Sequence, residues 1–134
     1  IIDEDIEPDF IFVPPSMIQP FVENAILHGF IRKECDKGLI TIEVRNAPEQ
    51  IIVNIIDNGI GINASLKNKT DNNHQSMGLK IFKERIKLIE KKYKKTTNFE
   101  IVDLSEIDPN NTGTKVTICF PIIEPDDKSR NYRR

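Results

Sequence analysis

The most informative pattern in this chain is the stretch Asp57-Asn58-Gly59-Ile60-Gly61-Ile62. It follows an apolar run, residues 51–56, that is typical of a buried β-strand. A carboxylate at a strand end followed by two glycines lets the backbone come close to a flat or anionic ligand. Gly-x-Gly after a strand also occurs in ordinary tight turns, so this pattern alone leaves a plain bend in a sheet open.

A second polar cluster lies upstream, where Glu23, Asn24 and His28 fall on a predicted helix that begins near Ser16. Asn24 and His28 are four residues apart, so they stack on one helix face. One polar cluster at a strand end and another on a helix together favour a nucleotide site shared between these two elements.

Length and composition limit the classes of protein to which this chain can belong. The chain has 134 residues, enough for one domain with its own core, and 38% of them are hydrophobic. Its 19 basic and 21 acidic side chains give a net charge of −2, which provides no broad positive field for nucleic acid or membrane. Cys35 and Cys119 form no metal-binding pattern. They are expected to be reduced thiols of a cytosolic domain, with a disulfide left open.

The domain is predicted to span residues 1–123, with a polar tail at residues 124–134. The chain starts abruptly at Ile1, in the middle of a pattern, so we expect it to be an N-terminally truncated piece of a longer protein. No stretch of the sequence approaches the roughly 20 apolar residues of a membrane-spanning helix.

In the first helix, apolar residues at helical spacing predict one buried stripe. The residues of this stripe are Ile18, Val22, Ala25, Ile26 and Gly29. We expect Pro20 in the first turn, where its missing N–H is least harmful, and Gly29 as the C-terminal stop.

Four alternating or apolar runs predict strands at residues 39–46, 51–57, 99–104 and 114–120. The first two are expected to form an antiparallel hairpin. A second helix is predicted at residues 76–93, because its apolar residues recur at intervals of three and four. This order of elements describes a two-layer α/β sandwich, with a mixed, mostly antiparallel sheet and helices on one face.

Residues 63–75 are rich in Asn, Lys and Asp and contain almost no apolar anchor. A structureless loop of this length in a compact domain is usually functional or mobile. Because it lies between two glycine-bearing turns, we predict a mobile lid over the site. A plain disordered connector is the alternative.

Four motifs, in order, resemble those of histidine kinases of the LytS/YehU type. Residues 14–29 (Pro-Pro-Ser-Met-Ile-Gln-Pro-Phe-Val-Glu-Asn-Ala-Ile-Leu-His-Gly) are similar to the N box, and residues 57–62 to the G1 box. Residues 78–86 resemble the G2 segment, and Gly113-Thr114 the last motif. The match runs from about residue 10 to residue 121. It implies the Bergerat ATP-binding fold of the GHKL, or HATPase_c, class, which gyrase, Hsp90, MutL and histidine kinases share.

The resemblance implies adenine contacts at the strand end. Asp57 would accept a hydrogen bond from the exocyclic amine of adenine, which disfavours guanine because guanine has a carbonyl at that edge. Thr114 would help to hold the same edge through water. Gly59 and Gly61, with Ile62, would let the chain pass close to the base and sugar.

On the helix side, the resemblance implies contacts to Mg²⁺ and phosphate. Asn24 would bind Mg²⁺ through its amide oxygen, a hard ligand for a hard ion. Glu23 would polarise a metal-bound water or order the site, and His28 would contact phosphate or the lid. The plainer alternatives are a surface acid for Glu23 and a solvated or structural histidine for His28.

The second helix and the lid complete the implied site. Gly78 and Leu79 would start a helix whose N–H groups face the phosphates. The lid residues Lys67 and Lys69 would add positive charge near the same groups.

Other residues limit what the resemblance implies. Leu27 stands where relatives commonly carry Lys, and Ser76-Met77-Gly78 replaces a Gly-x-Gly. Both differences weaken the expectation of efficient phosphoryl transfer and leave adenine recognition intact. Arg85 is expected to be a structural ion-pair residue, and His74 a solvated residue and not a phosphoacceptor.

The resemblance implies the ATP-binding catalytic domain of a two-component sensor histidine kinase. It would transfer the γ-phosphoryl group of Mg·ATP to a histidine on an upstream dimerisation segment absent from this chain, and a response regulator would then receive the group. The full protein would be a membrane-anchored homodimer with this domain in the cytoplasm, and no nucleic acid would be a partner. The alternatives are a regulatory pseudokinase module, a GHKL-type ATPase with Glu23 as base, and a pure interaction domain.

Overall fold

Two layers make up the part of the chain that the computed structural model describes, which is residues 1–4, 6, 13, 15–30, 37–67 and 77–122. The helical layer consists of α1 (Pro15–Asn24), a π-helix (Ala25–Phe30), α2 (Ile62–Lys67) and α3 (Met77–Tyr93). The sheet layer consists of β1 (Ile40–Ala47), β2 (Gln50–Asp57), β3 (Asn98–Asp103) and β4 (Thr114–Pro121). A short 3₁₀-helix, Leu104–Glu106, follows β3.

The four strands form one sheet in the order β1-β2-β4-β3, and every neighbouring pair is antiparallel. Ile2 adds a parallel bridge beside β1, so the sheet is mixed and mostly antiparallel, as predicted. The predicted hairpin is also confirmed, since β1 pairs with β2. In this register Asp57 ends β2, and Asp103 at the end of β3 pairs with Thr114 at the start of β4. These three residues therefore lie at the same end of the sheet.

The core lies between the sheet and the helices because β2 and β4 turn alternate apolar side chains towards α1 and α3. Its buried residues are Met17, Phe21, Ile51, Val53, Ile55, Phe82, Ile86, Val116, Ile118 and Phe120. Phe82 is fully buried, and its ring makes edge contacts with the rings of Phe21 on α1 and Phe99 on β3. Burying such a side chain contributes about 2–3 kcal/mol, so Phe82 is a main link between the two layers.

Asn54 is the buried polar residue on the sheet surface that faces away from this core. Its side-chain oxygen accepts a hydrogen bond from the Thr117 hydroxyl at 3.0 Å, and its amide nitrogen donates to Glu43 at 3.3 Å. The hydrogen bonds offset the desolvation of the amide and tie β1, β2 and β4 together.

The buried stripe of α1 differs from the predicted one. Met17, Phe21 and Ala25 are buried, one position away from the predicted pattern at its start, whereas Ile26 is 48% exposed. The prediction assumed a continuous α-helical period. Adjacent apolar residues at positions 17–18 and 21–22 fit two helix faces equally well, so spacing alone did not fix the phase of α1. A π-helix begins at Ala25, and its wider turn shifts only the side chains that follow, such as Ile26. The helix also continues to Phe30, so Gly29 is not its stop.

The prediction for Pro20 was wrong, and the structure gives a compensation for its position. Pro20 is the sixth residue of α1, so it lacks the N–H that would donate to the Ser16 carbonyl in a regular helix. The Arg85 guanidinium of α3 donates to that carbonyl at 2.6 Å. Arg85 is therefore structural, as expected, but its described partner is a carbonyl and not an acid.

Arg85→Met is expected to lower the free energy of unfolding by about 2 kcal/mol, because the Ser16 carbonyl loses a charged donor. In a Pro20→Ala background the helix regains its own N–H donor, so the same substitution should cost about 1 kcal/mol or less. Urea unfolding of the four proteins measures this coupling. Lys87→Met, on the exposed face of α3, controls for loss of charge. Equal costs in both backgrounds would contradict the compensation.

The predicted lid begins differently from the sequence-based expectation. Residues 63–67 belong to α2 and not to a structureless loop. The helix starts here because a buried carboxylate from β3 accepts the Asn63 N–H, a contact no local pattern reveals. Residues 68–76 lie outside the described residues, so Lys69, His74 and the mobility of the lid stay predictions.

Several other expectations concern the ends and the cysteines. Residues 123–134 lie outside the described part of the chain, so the polar tail stays a prediction. Cys119 is a half-buried free thiol, and Cys35 is not among the described residues. Across the described ranges, no helix combines the length and the apolar character needed to span a bilayer.

Candidate functional site

Asp57 is half-buried at the end of β2, and its side chain is held by the turn that follows. Its Oδ1 accepts a hydrogen bond from the Gly59 N–H at 2.8 Å. An Asp side chain bonded to the backbone two residues ahead is a common way to fix a turn. The turn therefore sets the direction of the carboxylate.

The same turn packs directly on the π-helix, with little space between the two backbones. A Cβ at Gly59 would lie 2.6 Å from the Cα of Gly29 and 2.8 Å from Asp57 Oδ1. The Ile60 N–H also donates to the Gly29 carbonyl at 3.3 Å. Only glycine allows this approach, so packing within the protein is enough to explain why position 59 is glycine. The contact brings the helix with the first polar cluster to the strand end with Asp57.

Gly113 and Thr114 lie on the other side of Asp57. Gly113 has φ +131°, and a Cβ there would be 2.0 Å from the Asp57 carbonyl oxygen. Thr114 is half-buried at the first position of β4. The structure thus brings together Asp57 and Thr114, which were predicted to hold adenine, and Gly59, which was predicted to let the chain pass close to the base and sugar.

The predicted polar residues of α1 and the π-helix differ in their exposure. Asn24 is half-buried at the last position of the helix, directly before the π-helix begins. Glu23 is exposed and accepts a hydrogen bond from the Gln19 side chain at 2.6 Å. His28 lies in the π-helix, and its side chain is outside the described atoms. π-Helical turns occur often at functional sites, which gives this segment added interest.

The start of α3 adjoins α1. A Cβ at Gly78 would lie 3.2 Å from the Cβ of Pro20, so the first turn of α3 packs against the middle of α1. Gly78 and Leu79 are half-buried in that first turn, where the helix dipole favours negative charge. Lys67 belongs to α2, but its side chain is not among the described atoms.

Asp103 is the residue that the sequence patterns missed. It is 3% exposed, and it accepts hydrogen bonds from the Asn63 N–H at 2.8 Å and the Ser105 N–H at 3.0 Å. Burial acts to raise the pKa of Asp103, but bonds from Ser105, Asn63 and Ile62 outweigh it, so the pKa lies below its ordinary value. The sole sequence signal was an acid at a strand end with Ser two residues later.

Asn58 lies in the same turn as Gly59, and the resemblance implies no role for it. Its side chain accepts from the Leu39 N–H at 2.8 Å and donates to the Lys37 carbonyl at 3.3 Å. These bonds tie the turn after β2 to the segment that enters β1.

Among the described residues, no three His, Cys, Asp or Glu side chains are grouped so that they could hold a metal. Mg²⁺ in nucleotide sites usually needs only one or two protein oxygens, with water and phosphate completing its shell. The half-buried amide of Asn24 fits that requirement.

Helices on one face of an antiparallel sheet, with a carboxylate and glycine turn packed on a helix end, define an α/β domain of the Bergerat type. The sequence pattern of the Histidine kinase-, DNA gyrase B-, and HSP90-like ATPases matches residues 15–124. The chain belongs to this family. The match makes it an ATPase-like domain of the kind found in histidine kinases, DNA gyrase B and HSP90.

Similar proteins include sensor proteins of bacteria. The chain is 38% identical over 88 residues to the uncharacterised protein YwpD of Bacillus subtilis strain 168, covering 64% of this chain and 31% of YwpD. It is 35% identical over 54 residues to the sensor protein LytS of Oceanobacillus iheyensis, covering 40% of this chain and 9% of LytS. It is 34% identical over 80 residues to the sensor histidine kinase YpdA of Escherichia coli K12, covering 58% of this chain and 14% of YpdA. The chain therefore spans less than a third of each relative.

A solved structure shows the same fold. The histidine kinase domain of the Erythrobacter litoralis EL346 blue-light activated histidine kinase superposes with a TM-score of 0.56 at 19% identity. The superposition covers 80% of this chain and 42% of that one.

Proposed function

We propose that this domain binds Mg·ATP at the junction between the end of β2 and the end of α1, and that it is the kinase part of a sensor protein. It would transfer the γ-phosphoryl group to a histidine on a separate dimerisation segment. The observation that carries the proposal is the contact between the Gly59 turn and Gly29, which places the oriented Asp57 carboxylate beside the helix that carries Asn24.

The base would be held at the strand end. Asp57 would accept a hydrogen bond from the amine of adenine, since a carboxylate can accept several hydrogen bonds and the Gly59 N–H orients this one. Thr114 supports the same edge through water. Gly61 and Ile62 carry the chain past the base and sugar.

The phosphates would lie towards α1 and the start of α3. Asn24 holds Mg²⁺, which neutralises phosphate charge when it is bound. Glu23 orders water near the metal, and His28 contacts phosphate or the lid. Gly78 and Leu79 provide a helix start that favours the phosphate charge. Positioning and charge neutralisation are the main contributions that a protein makes to phosphoryl transfer.

The relatives named as sensor proteins support a proposal about the wider assembly. The partners are a phosphoacceptor segment of the same protein and a response regulator. The full protein is a membrane-anchored homodimer with this domain in the cytoplasm. Within the chain, residues 1–123 form the catalytic domain and residues 124–134 a polar tail.

A regulatory pseudokinase is the second candidate, and one observation favours it. Leu27 is 55% exposed on the π-helix, at the position where a lysine would offer a cation to the phosphates. Incubating the domain with labelled ATP and a phosphoacceptor segment separates the two functions. Label on the histidine supports the kinase, whereas ATP binding without transfer supports the pseudokinase.

Asp57→Asn is expected to weaken ATP binding about 30-fold, or about 2 kcal/mol, and to reduce the preference for ATP over GTP. Asparagine retains an oxygen for the Gly59 N–H, but its NH₂ group opposes the adenine amine and suits the guanine carbonyl. Calorimetric titration of both proteins with Mg·ATP and Mg·GTP measures this. Glu100→Gln, an exposed site on β3, controls for charge. Equal binding of ATP and GTP by the unchanged protein would contradict the role of Asp57.

A further inference from the structure

We infer that Asp103 is a positioning residue for the nucleotide site, which it serves by holding residues 61–63 in place. This inference rests on the proposed function, because it concerns the same site. The Asp103 carboxylate lies at the end of β3. It accepts a hydrogen bond from the N–H of Asn63, which is 40 residues earlier in the chain. It thus acts on the turn after Asp57 from a different part of the chain.

The Asp103 carboxylate lies directly against the backbone of that turn. A Cβ at Gly61 would be 2.6 Å from Asp103 Oδ2 and 2.9 Å from Oδ1. The same Oδ2 accepts the Asn63 N–H at 2.8 Å. Gly61 has φ +84°, a conformation that glycine adopts readily and that residues with a Cβ rarely adopt. Asp103 therefore contacts the residues on both sides of Ile62.

The segment after β3 reinforces this hold. The Ser105 N–H donates to Asp103 Oδ1 at 3.0 Å and its hydroxyl donates to the same oxygen at 2.5 Å, which fixes the carboxylate. The side chain of Asn63 donates to Glu106 Oε1 at 2.7 Å. Asn63 is thus bound through its backbone by a buried acid and through its side chain by an exposed one.

These contacts fix the part of the site that β2 cannot reach. Residues 57–62 are held at their start by β2 pairing and in the middle by the bond from Ile60 to Gly29. Asp103 holds their end, and it also holds the first turn of α2, with which the predicted lid begins. Loss of Asp103 should therefore loosen residues 61–63 and the start of α2 while leaving Asp57 in the sheet.

The test compares Asp103→Ala with Asn54→Ala. Both remove a buried, hydrogen-bonded polar side chain from the sheet, but Asn54 lies on β2 with partners on β1 and β4, on the surface that faces away from the core. At a temperature where circular dichroism shows both variants folded, Mg·ATP affinity is measured by calorimetry and amide exchange by NMR. Asp103→Asn, which keeps the shape and one acceptor oxygen, replaces the alanine variant if that does not fold.

We expect Asp103→Ala to raise the ATP dissociation constant about tenfold and to speed exchange of the Asn63 amide, with an intermediate effect for Asp103→Asn. Asn54→Ala should change neither quantity. Unchanged ATP affinity in folded Asp103 variants would overturn the inference alone. An equal loss in Asn54→Ala would also overturn it, because the effect would then be one of general stability. Absence of ATP binding by the unchanged domain would overturn the proposed function and the positioning role with it.

Discussion

Gly113→Ala is expected to lower the free energy of unfolding by about 3 kcal/mol or more, and the melting temperature by about 10 °C. Two costs add. The backbone at Gly113 has φ +131°, which residues with a Cβ rarely adopt. The new methyl group would also lie 2.0 Å from the Asp57 carbonyl oxygen, so the start of β4 must move away from the end of β2. Because that movement displaces Asp57, ATP affinity should fall as well.

A change of opposite sign at another positive-φ residue provides the control. Lys94 has φ +54° after the end of α3, where glycine is the favoured residue. Lys94→Gly is expected to stabilise the domain by up to about 1 kcal/mol and to leave ATP affinity unchanged. Thermal unfolding and calorimetry of both variants test the pair. A Gly113→Ala protein with the original melting temperature would show that β4 can begin without this close contact.

The sheet was predictable because its signals are local and repeated. Side chains alternate along β1 and β4, and the apolar run of β2 is bounded by a turn, so period and boundaries together gave the strands. The phase of α1 was not predictable in the same way. Met17-Ile18 and Phe21-Val22 are apolar pairs, so a period of 3.6 residues fits two faces of the helix. The π-helix from Ala25 then breaks that period without a distinct sequence signal.

The site was predictable where a motif is contiguous and unpredictable where the contact is distant. Asp57 and Gly59 are two residues apart, and their hydrogen bond is the kind that a short pattern indicates. The bond between Asp103 and Asn63 joins residues that only the sheet order brings together. The contact of Arg85 was unpredictable for the same reason. Its partner is the Ser16 carbonyl, which lacks a helical donor because of Pro20, a residue 65 positions before Arg85.

Phe82→Ala is expected to cost about 4 kcal/mol of stability, the largest effect of any single substitution proposed. Its side chain is fully buried, and its ring lies 4.7 Å from that of Phe21 and 5.1 Å from that of Phe99, centroid to centroid. Truncation leaves a cavity between the layers and removes both aromatic pairs, each of which adds about 0.5–1.5 kcal/mol beyond burial. Urea unfolding measures the loss. Leu88→Ala, at a 66% exposed position of the same helix, should change stability by less than about 0.5 kcal/mol.

Measuring ATP binding by Phe82→Ala shows whether the substitution changes only core packing or also the geometry of the site. Phe21 belongs to the helix that carries Asn24, and Phe99 belongs to the strand that ends at Asp103, so Phe82 packs between the helix and the sheet that carry the proposed site. A ligand that binds only the folded state stabilises it by an amount that depends on its affinity and its free concentration. If the cavity lets α1 shift, saturating Mg·ATP should stabilise Phe82→Ala less than the unchanged domain. An equal ATP-induced rise in both proteins would show that the cavity stays local and that α1 keeps its place against the Gly59 turn.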